Sequence, residues 1–192
     1  MSPHLDDARR AALARHLLAR TLSALRQSSS VARIALATPD QFLARETGVD
    51  WLPDPGSLNE ALEGAVTWAL RHGAERLLLL PADLSLLDAV DVRLLIASEH
   101  DTPGIVIAPT TDGGTGALLL TPPDALRPAF GRESFRRHCR QARRQKIDIR
   151  VVALEGFAHD VDTIDDLHAL LPELLLSDLP VENLNRWGET GW

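Results

Sequence analysis

Three aspartates carry the strongest chemical signal in the sequence. Asp83 ends the apolar run RLLLLPAD, and Asp160 and Asp162 alternate in HDVDT, just before a helical pattern begins. Carboxylates that converge on one point repel each other unless a cation neutralises them or one of them takes up a proton. Mg²⁺ suits such a set, because it binds a few carboxylates and keeps positions for water and phosphate oxygens. We therefore predict a Mg²⁺ site, with helix N-caps as the alternative for Asp83 and Asp162.

Two loops contain glycines and hydroxyls that could hold an anion. The segment DGGTG, residues 112–116, lies between two strand-like runs. It is typical of a hairpin turn, or its backbone amides and the Thr115 hydroxyl bind an anion. In FGRESF, residues 130–135, Gly131 precedes a helix and Ser134 lies in its first turn. These two residues could donate to a phosphate or carboxylate, or form an ordinary helix entry.

A third loop, LPDPGSLNEAL at residues 52–62, places Asn59 in the first turn of a helix. This asparagine either caps the helix or contacts the edge of a nucleotide base.

The basic run RRHCRQARRQK looks like one solvated helix face rather than a catalytic one. Arginines recur in it at helical spacing, at positions 136, 140 and 144. His138 and Cys139 lie within the run without a third partner in the pattern, so a nucleophilic triad is not expected.

The elements that must position these residues alternate between helical and strand-like patterns. Strands are expected at 31–37, 48–53, 76–83, 104–109, 116–122 and 149–154, and helices at 5–26, 58–72, 88–100, 134–146 and 163–175. Such alternation predicts an α/β three-layer sandwich with a mostly parallel, mixed sheet. We expect one domain over residues 1–176 and a polar tail at 177–192. Ligands of such sheets bind beyond the carboxyl ends of the strands, where the residues discussed above are predicted to lie.

Composition narrows the classes of partner. A net charge of -7 argues against a nucleic-acid binder or a protein of anionic membranes. The single cysteine, Cys139, cannot form an internal disulfide, which favours a reducing cytoplasm. The tail either packs on a neighbouring copy, as in a homodimer, or is loose.

Taken in order, the segments LPDPGSLNEAL, LLLLPADLSLL, IAPTTDGGTGALLL, FGRESFRRH and HDVDTIDDL resemble the 2-phospho-L-lactate/phosphoenolpyruvate guanylyltransferases. These enzymes act in the biosynthesis of the deazaflavin coenzyme F-420. They belong to a wider nucleotidyltransferase fold, like that of nucleotide-diphospho-sugar transferases, which includes molybdenum-cofactor guanylyltransferase. The similarity extends to about Leu175.

The resemblance implies a role for each matching position. Asp83, Asp160 and Asp162 would be the catalytic acids that bind Mg²⁺. The phosphorylated acid would be bound by Thr115, Gly131 and Ser134, together with Gly113 and Gly114. The nucleotide GTP would lie beside Pro53, Asp54, Gly56 and Asn59. The reaction implied is attack by the acid's phosphate oxygen on the α-phosphorus of GTP.

Two departures from the family pattern stand out. Family members normally begin with a strand and a loop that contains a lysine and an AKSRL-like run, and this chain aligns just beyond that segment. Lacking the usual first strand, the sheet is expected to expose edges. Either the start is assigned too late, or the chain is a non-catalytic relative that binds a ligand or partner. The second departure is Gly116, where the family commonly has asparagine, so the acceptor stays open, a molybdopterin or sugar phosphate included.

Overall fold

The computed structural model of the protein describes residues 7–99 and 103–159. Its elements follow the predicted alternation. The helices are α1 Asp7–Gln27, α2 Gln41–Thr47, α3 Leu58–Arg71, α4 Ala89–Ala97 and α5 Ser134–Gln145, with a 3-10 helix at Glu155–Phe157. The strands are β1 Ala35–Thr38, β2 Asp50–Pro53, β3 Leu77–Leu79, β4 Gly104–Pro109, β5 Thr115–Thr121 and β6 Asp148–Val151. The helix predicted at 163–175 and the tail at 177–192 lie outside the described residues.

The described strands form two groups rather than one continuous sheet. β1 and β2 pair in parallel, and a four-stranded sheet has the order β3-β5-β4-β6. In that sheet β5 is antiparallel to both β3 and β4, while β4 and β6 are parallel. Within the described residues, β1 pairs only with β2 and β3 only with β5, so each has an edge without a strand partner. Helix α3 packs on β1, β2 and β3 and so joins the two groups.

Alternation along β4 explains why helices cover both faces of the sheet. Ile105 and Ile107 point into a core that also contains alanines of α3 and α5. Val106 and Ala108 point the opposite way, into a core formed with residues of α1 and α4. Because successive strand residues face opposite sides, a fully apolar strand requires cover on both. The predicted three-layer α/β sandwich is confirmed.

Helix α2 was not predicted from the sequence, although its signals are present. The Asp40 carboxylate caps it by accepting from the backbone amides of Phe42 and Leu43, at 2.9 and 3.2 Å. Gly48, with φ of 67°, ends the helix in the left-handed conformation that glycine adopts without strain. The strand predicted from residue 48 therefore begins only at Asp50.

Strand β3 is shorter than the predicted 76–83 and ends at Leu79. Pro81 lacks the amide hydrogen that a central strand needs, which explains the early end. Asp83 accordingly lies on the loop after β3 rather than in the strand. In the part of the chain that the structure describes, no helix is long and apolar enough to cross a membrane.

Candidate functional site

The register of the four-stranded sheet brings the strand ends next to Asp83, Gly113, Gly114 and Thr115 to one edge. Leu79, at the end of β3, pairs with Leu118, and Pro109, at the end of β4, pairs with Thr115. The end of β6 lies beside β4, where Val151 pairs with Ile107. The edge at which β3, β4 and β6 end, and β5 begins, is called the carboxyl edge here. Ligands of α/β sheets bind at such an edge.

The loop between β4 and β5 is a tight turn closed by its own hydrogen bonds. Asp112 accepts from the Thr110 hydroxyl and from the Gly114 amide, the latter at 3.0 Å, and these bonds lower the pKa of its carboxyl. The Gly113 amide donates to the Thr110 carbonyl at 3.1 Å. The hairpin interpretation of DGGTG is therefore confirmed. The amides of Gly113 and Gly114 are used inside the turn, so these residues shape the loop without offering those hydrogens to a ligand.

Thr115, Ser134 and His138 form a buried polar cluster where β5 meets α5. The Ser134 hydroxyl lies 2.9 Å from Thr115 Oγ1, and His138 Nδ1 lies 3.1 Å from the same oxygen. The Ala129 amide donates to His138 Nε2 at 2.8 Å. Ser134 and His138 are fully buried and Thr115 is nearly so. The structure thus brings together two of the predicted anion-binding residues, Thr115 and Ser134.

A single arginine holds the loop that leads into α5. The Arg137 guanidinium donates to the carbonyl oxygens of Ala129, Phe130 and Arg132. Gly131 lies in this loop with φ of 105°, a conformation that disfavours any side chain, and its carbonyl accepts from the Ser134 amide at 3.0 Å. The loop is therefore fixed relative to Ser134 before any ligand binds.

Gly116 is required by the close approach of the 3-10 helix Glu155–Phe157. A Cβ atom at position 116 would lie 1.8 Å from the carbonyl oxygen of Phe157. Next to it, the amide and hydroxyl of Thr111 both donate to the Ala158 carbonyl, at 3.0 and 3.3 Å. These contacts attach residues 155–158 to the carboxyl edge and leave no room for a side chain at position 116.

Among the predicted metal ligands, only Asp83 lies within the described residues. It is half-buried on the loop after β3, at the carboxyl edge. The N-cap alternative for Asp83 is wrong, because Asp88 caps α4 by accepting from the amides of Val90 and Asp91 at 2.7 and 2.9 Å.

Asp160 and Asp162 lie outside the described residues, although Asp160 follows within two residues of the anchored Ala158. Residues 7–99 and 103–159 contain no group of three side chains placed to hold a metal ion. The donor chemistry at Asp83 fits Mg²⁺, but a complete site needs the two later aspartates.

Pro53, Asp54, Gly56 and Asn59 are all exposed, in a segment that runs from the end of β2 through a loop into the first turn of α3. The Gly56 amide donates to the Asp54 carboxylate at 2.8 Å, and Gly56 has φ of 92°. Asn59 does not cap α3, whose N-cap residue is Ser57. Its side-chain amide instead lies 3.5 Å from the Phe130 carbonyl, which brings this loop beside the one that leads into α5.

His138 is the residue of this region that sequence reasoning missed. The expectation that it takes no part in a nucleophilic triad stays a prediction; its ring contacts the Thr115 hydroxyl and the Ala129 amide. Burial raises the pKa of the neighbouring Cys139 thiol, which keeps that group protonated. The spacing of Ser134 and His138, four residues apart on one helix face, was the available signal that both side chains could contact the same residue, Thr115.

A groove of about 830 Å³ lies elsewhere, between α5 and β6. It is lined by exposed arginines of α5, Arg136, Arg140 and Arg144 among them, and by Ile147 and Ile149. The predicted solvated face of α5 is confirmed. None of the predicted site residues within 7–99 and 103–159 lines this groove.

Known proteins with similar sequences point to one activity. A family described as "Guanylyl transferase CofC like" matches residues 1–176. A phosphoenolpyruvate guanylyltransferase of Sphaerobacter thermophilus is 37% identical over 175 residues, which cover 88% of this chain and 84% of that protein. A 3-phospho-D-glycerate guanylyltransferase of Colwellia psychrerythraea is 32% identical, over 99% of this chain and 91% of that protein.

The similarity to solved structures concerns the fold. A structure from Desulfovibrio desulfuricans, described as a putative nucleotide-diphospho-sugar transferase, superposes with a TM-score of 0.68 at 20% identity. The match covers 83% of this chain and 73% of that one. The nucleotidyltransferase-like fold expected from the sequence is confirmed.

Proposed function

Because the chain belongs to the CofC-like guanylyl transferase family, an enzyme family that transfers nucleotidyl groups, we propose that it transfers GMP from GTP to a small phosphorylated three-carbon acid. The observation that carries the proposal is the buried hydroxyl pair of Thr115 and Ser134 at the carboxyl edge. Together with the fixed loop around Gly131, this pair would supply a hydroxyl donor to an anion at the edge where this fold binds ligands.

The reaction joins two phosphates without a protein nucleophile. A phosphate oxygen of the acid attacks the α-phosphorus of GTP and forms a new P–O bond. The bond from that phosphorus to the bridging oxygen of the β-phosphate breaks, and pyrophosphate leaves. Such a transfer depends on positioning and on neutralising charge. A protonated Cys139 and a neutral, hydrogen-bonded His138 are consistent with a site of this kind.

The acceptor would be a three-carbon acid that carries a phosphate group and a carboxylate group. The relatives named above are called phosphoenolpyruvate and 3-phospho-D-glycerate guanylyltransferases, which makes these two acids the first candidates, with 2-phospho-L-lactate as the third. We assign the acid to Thr115, Gly131 and Ser134, with Gly113 and Gly114 shaping the wall of the site.

The nucleotide would lie on the other side, along the exposed loop of Pro53, Asp54, Gly56 and Asn59. The 3.5 Å approach of Asn59 to the Phe130 carbonyl supports this arrangement, because it sets the two loops side by side. Mg²⁺ held by Asp83, Asp160 and Asp162 would neutralise the charge of the phosphates. We further propose that the reaction serves deazaflavin coenzyme F-420 biosynthesis in the cytoplasm, on the sequence resemblance.

The test is release of pyrophosphate from GTP and Mg²⁺ with each of the three acids in turn. We expect release with one acid, a loss of at least about 100-fold in Asp83→Asn, and no loss in Asp124→Asn. Asp124 is the control because it lies beyond the far end of β5 and is exposed. No release with any of the acids would contradict the proposal. Release that is insensitive to Asp83→Asn would contradict the metal assignment alone.

A further inference from the structure

The His138 ring connects the site to the backbone around it. It is fully buried, and its two ring nitrogens each have a different partner. Nε2 lies 2.8 Å from the Ala129 amide nitrogen, and Nδ1 lies 3.1 Å from Thr115 Oγ1. The Phe130 and His138 rings pack edge to face, and their centroids are 5.4 Å apart. The proposed reaction has no direct use for this imidazole.

These contacts determine which nitrogen carries the proton. A backbone amide can only donate, so Nε2 must accept from Ala129 with its lone pair. Burial, with a smaller contribution from Arg137, lowers the pKa of His138 to about 4, so the ring is neutral near pH 7. A neutral imidazole carries one proton, which must then lie on Nδ1. Nδ1–H therefore donates to Thr115 Oγ1.

The hydroxyl protons can be counted in the same way. Thr115 and Ser134 have two hydroxyl protons between them, and one lies between their oxygens, which are 2.9 Å apart. Thr115 Oγ1 accepts from both His138 and Ser134, so its own proton points elsewhere. Within residues 7–99 and 103–159, no hydrogen bond uses the second proton. The cluster thus has one hydroxyl donor to spare.

We propose that His138 is a positioning residue that fixes the Thr115–Ser134 pair as a donor to the acid acceptor. By donating to Thr115 Oγ1, the imidazole stops that hydroxyl from turning inward to use its proton on the ring. The spare proton is then available to a phosphate or carboxylate oxygen. The inference rests on the proposed function for the acceptor class, and it concerns orientation of the site rather than the chemical step.

Two amide variants separate the two hydrogen bonds of the ring. The side-chain amide of asparagine can take the place of Nδ1 and donate to Thr115. The carbonyl of glutamine can take the place of Nε2 and accept from Ala129. His138→Asn therefore keeps the bond that the inference requires, and His138→Gln keeps the bond that serves only the backbone.

Kinetics of the full chain with GTP and the best of the three acids test the inference. We expect His138→Gln to raise the acceptor KM about tenfold or more and His138→Asn to change it less than about threefold, with the KM for GTP unchanged in both. In a Thr115→Val background, His138→Gln should cause no further rise. Equal rises in the two amide variants, in step with their loss of stability, would overturn the inference. Inactive wild-type protein would instead contradict the proposed function.

A spectroscopic measurement covers the case in which both variants unfold. Nitrogen NMR of the wild-type imidazoles should show the His138 ring with its proton on Nδ1 at pH 7, as a signal that is absent from His138→Gln or, if that variant unfolds, from His138→Phe. His72, whose Nδ1 lies 2.8 Å from the Trp68 carbonyl oxygen, keeps its own signal in both variants. Addition of the acid in the absence of GTP should shift the Nδ1 resonance of His138. A proton on Nε2, a charged ring at pH 7, or a signal that does not respond to saturating acid would overturn the inference.

Discussion

The two sides of the proposed site are built in opposite ways. On the acceptor side, Thr115, Ser134 and His138 are buried and joined by hydrogen bonds of 2.9 and 3.1 Å before a ligand is present. On the nucleotide side, the segment with Asp54 and Asn59 is exposed, and the hydrogen bond from Asn59 to the Phe130 carbonyl on the other side is 3.5 Å long. A small acid offers few groups for the protein to contact. Its affinity therefore depends strongly on whether the protein groups that contact it are already held in place. A nucleotide offers many contacts, and its loop can order on binding.

The first prediction tests how tightly the acceptor side is packed. Gly116→Ala places a methyl group 1.8 Å from the Phe157 carbonyl oxygen, so the 3-10 helix must move or the strand must bend. We expect a loss of about 3 kcal/mol in the free energy of unfolding, measured by urea denaturation. Gly64→Ala is the matched control, because nothing lies within 4 Å of its Cβ in the exposed middle of α3. It should stabilise the protein by about 0.5–1 kcal/mol. A change of less than 0.5 kcal/mol in Gly116→Ala would show that the acceptor side is loose.

The second prediction concerns pH and the buried imidazole. His138 has a pKa of about 4 when folded against 6.5 when exposed, so the unfolded chain binds the extra proton between these values. Stability contributed by the neutral ring is complete above pH 6.5 and is lost as the pH falls toward 4. The total loss should be about 3 kcal/mol, since one unit of pKa corresponds to about 1.4 kcal/mol.

Urea denaturation between pH 7 and 5 measures how the free energy of unfolding changes with pH. Most carboxylates titrate below this range. His16 contributes with the same sign, because burial and Arg20 lower its pKa too. The comparison is therefore with His138→Gln, which lacks a titrating group at this position and should show a shallower slope. Identical slopes in the two proteins would mean that the ring is not held neutral by burial.

The contrast between the two sides also explains which parts of the molecule were predictable. Strand β4 was predicted with correct bounds, because a fully apolar run between turn residues has few alternatives. Thr115 and Ser134 were selected as candidates because hydroxyls near glycines are typical of loops that bind anions, and the structure brings the two together. His138 was missed because its partners, Thr115 and the Ala129 amide, come together only through packing of α5 against β5. The capping roles of Asp83 and Asn59 were uncertain for a similar reason: several polar residues near each helix start could serve as its cap.

A third prediction tests the turn that precedes Thr115. Asp112→Ala removes the acceptor of the Gly114 amide and the Thr110 hydroxyl, and the turn should loosen at a cost of about 1 kcal/mol in unfolding free energy. The KM for the acid should rise while the KM for GTP stays constant, because the turn directs Thr115 on the acceptor side. Asp124→Ala is the control and should change neither constant. A larger effect on GTP than on the acid would reverse the assignment of the two sides.

The smallest effect on stability is expected on the nucleotide side. Asn59→Ala removes an exposed side chain whose contact with the Phe130 carbonyl is long, so unfolding free energy should change by less than about 0.5 kcal/mol. If the loop lies beside GTP, the same variant should raise the KM for GTP and leave that for the acid unchanged. Leu58→Ala is a suitable control, since Leu58 is 59% exposed and lies next to Asn59 without a polar group to offer a base. A stability loss above 1 kcal/mol in Asn59→Ala would show that this residue is held in place as firmly as the acceptor side is. The nucleotide-side segment would then be fixed before the nucleotide binds, and the two sides would differ only in how deeply they are buried.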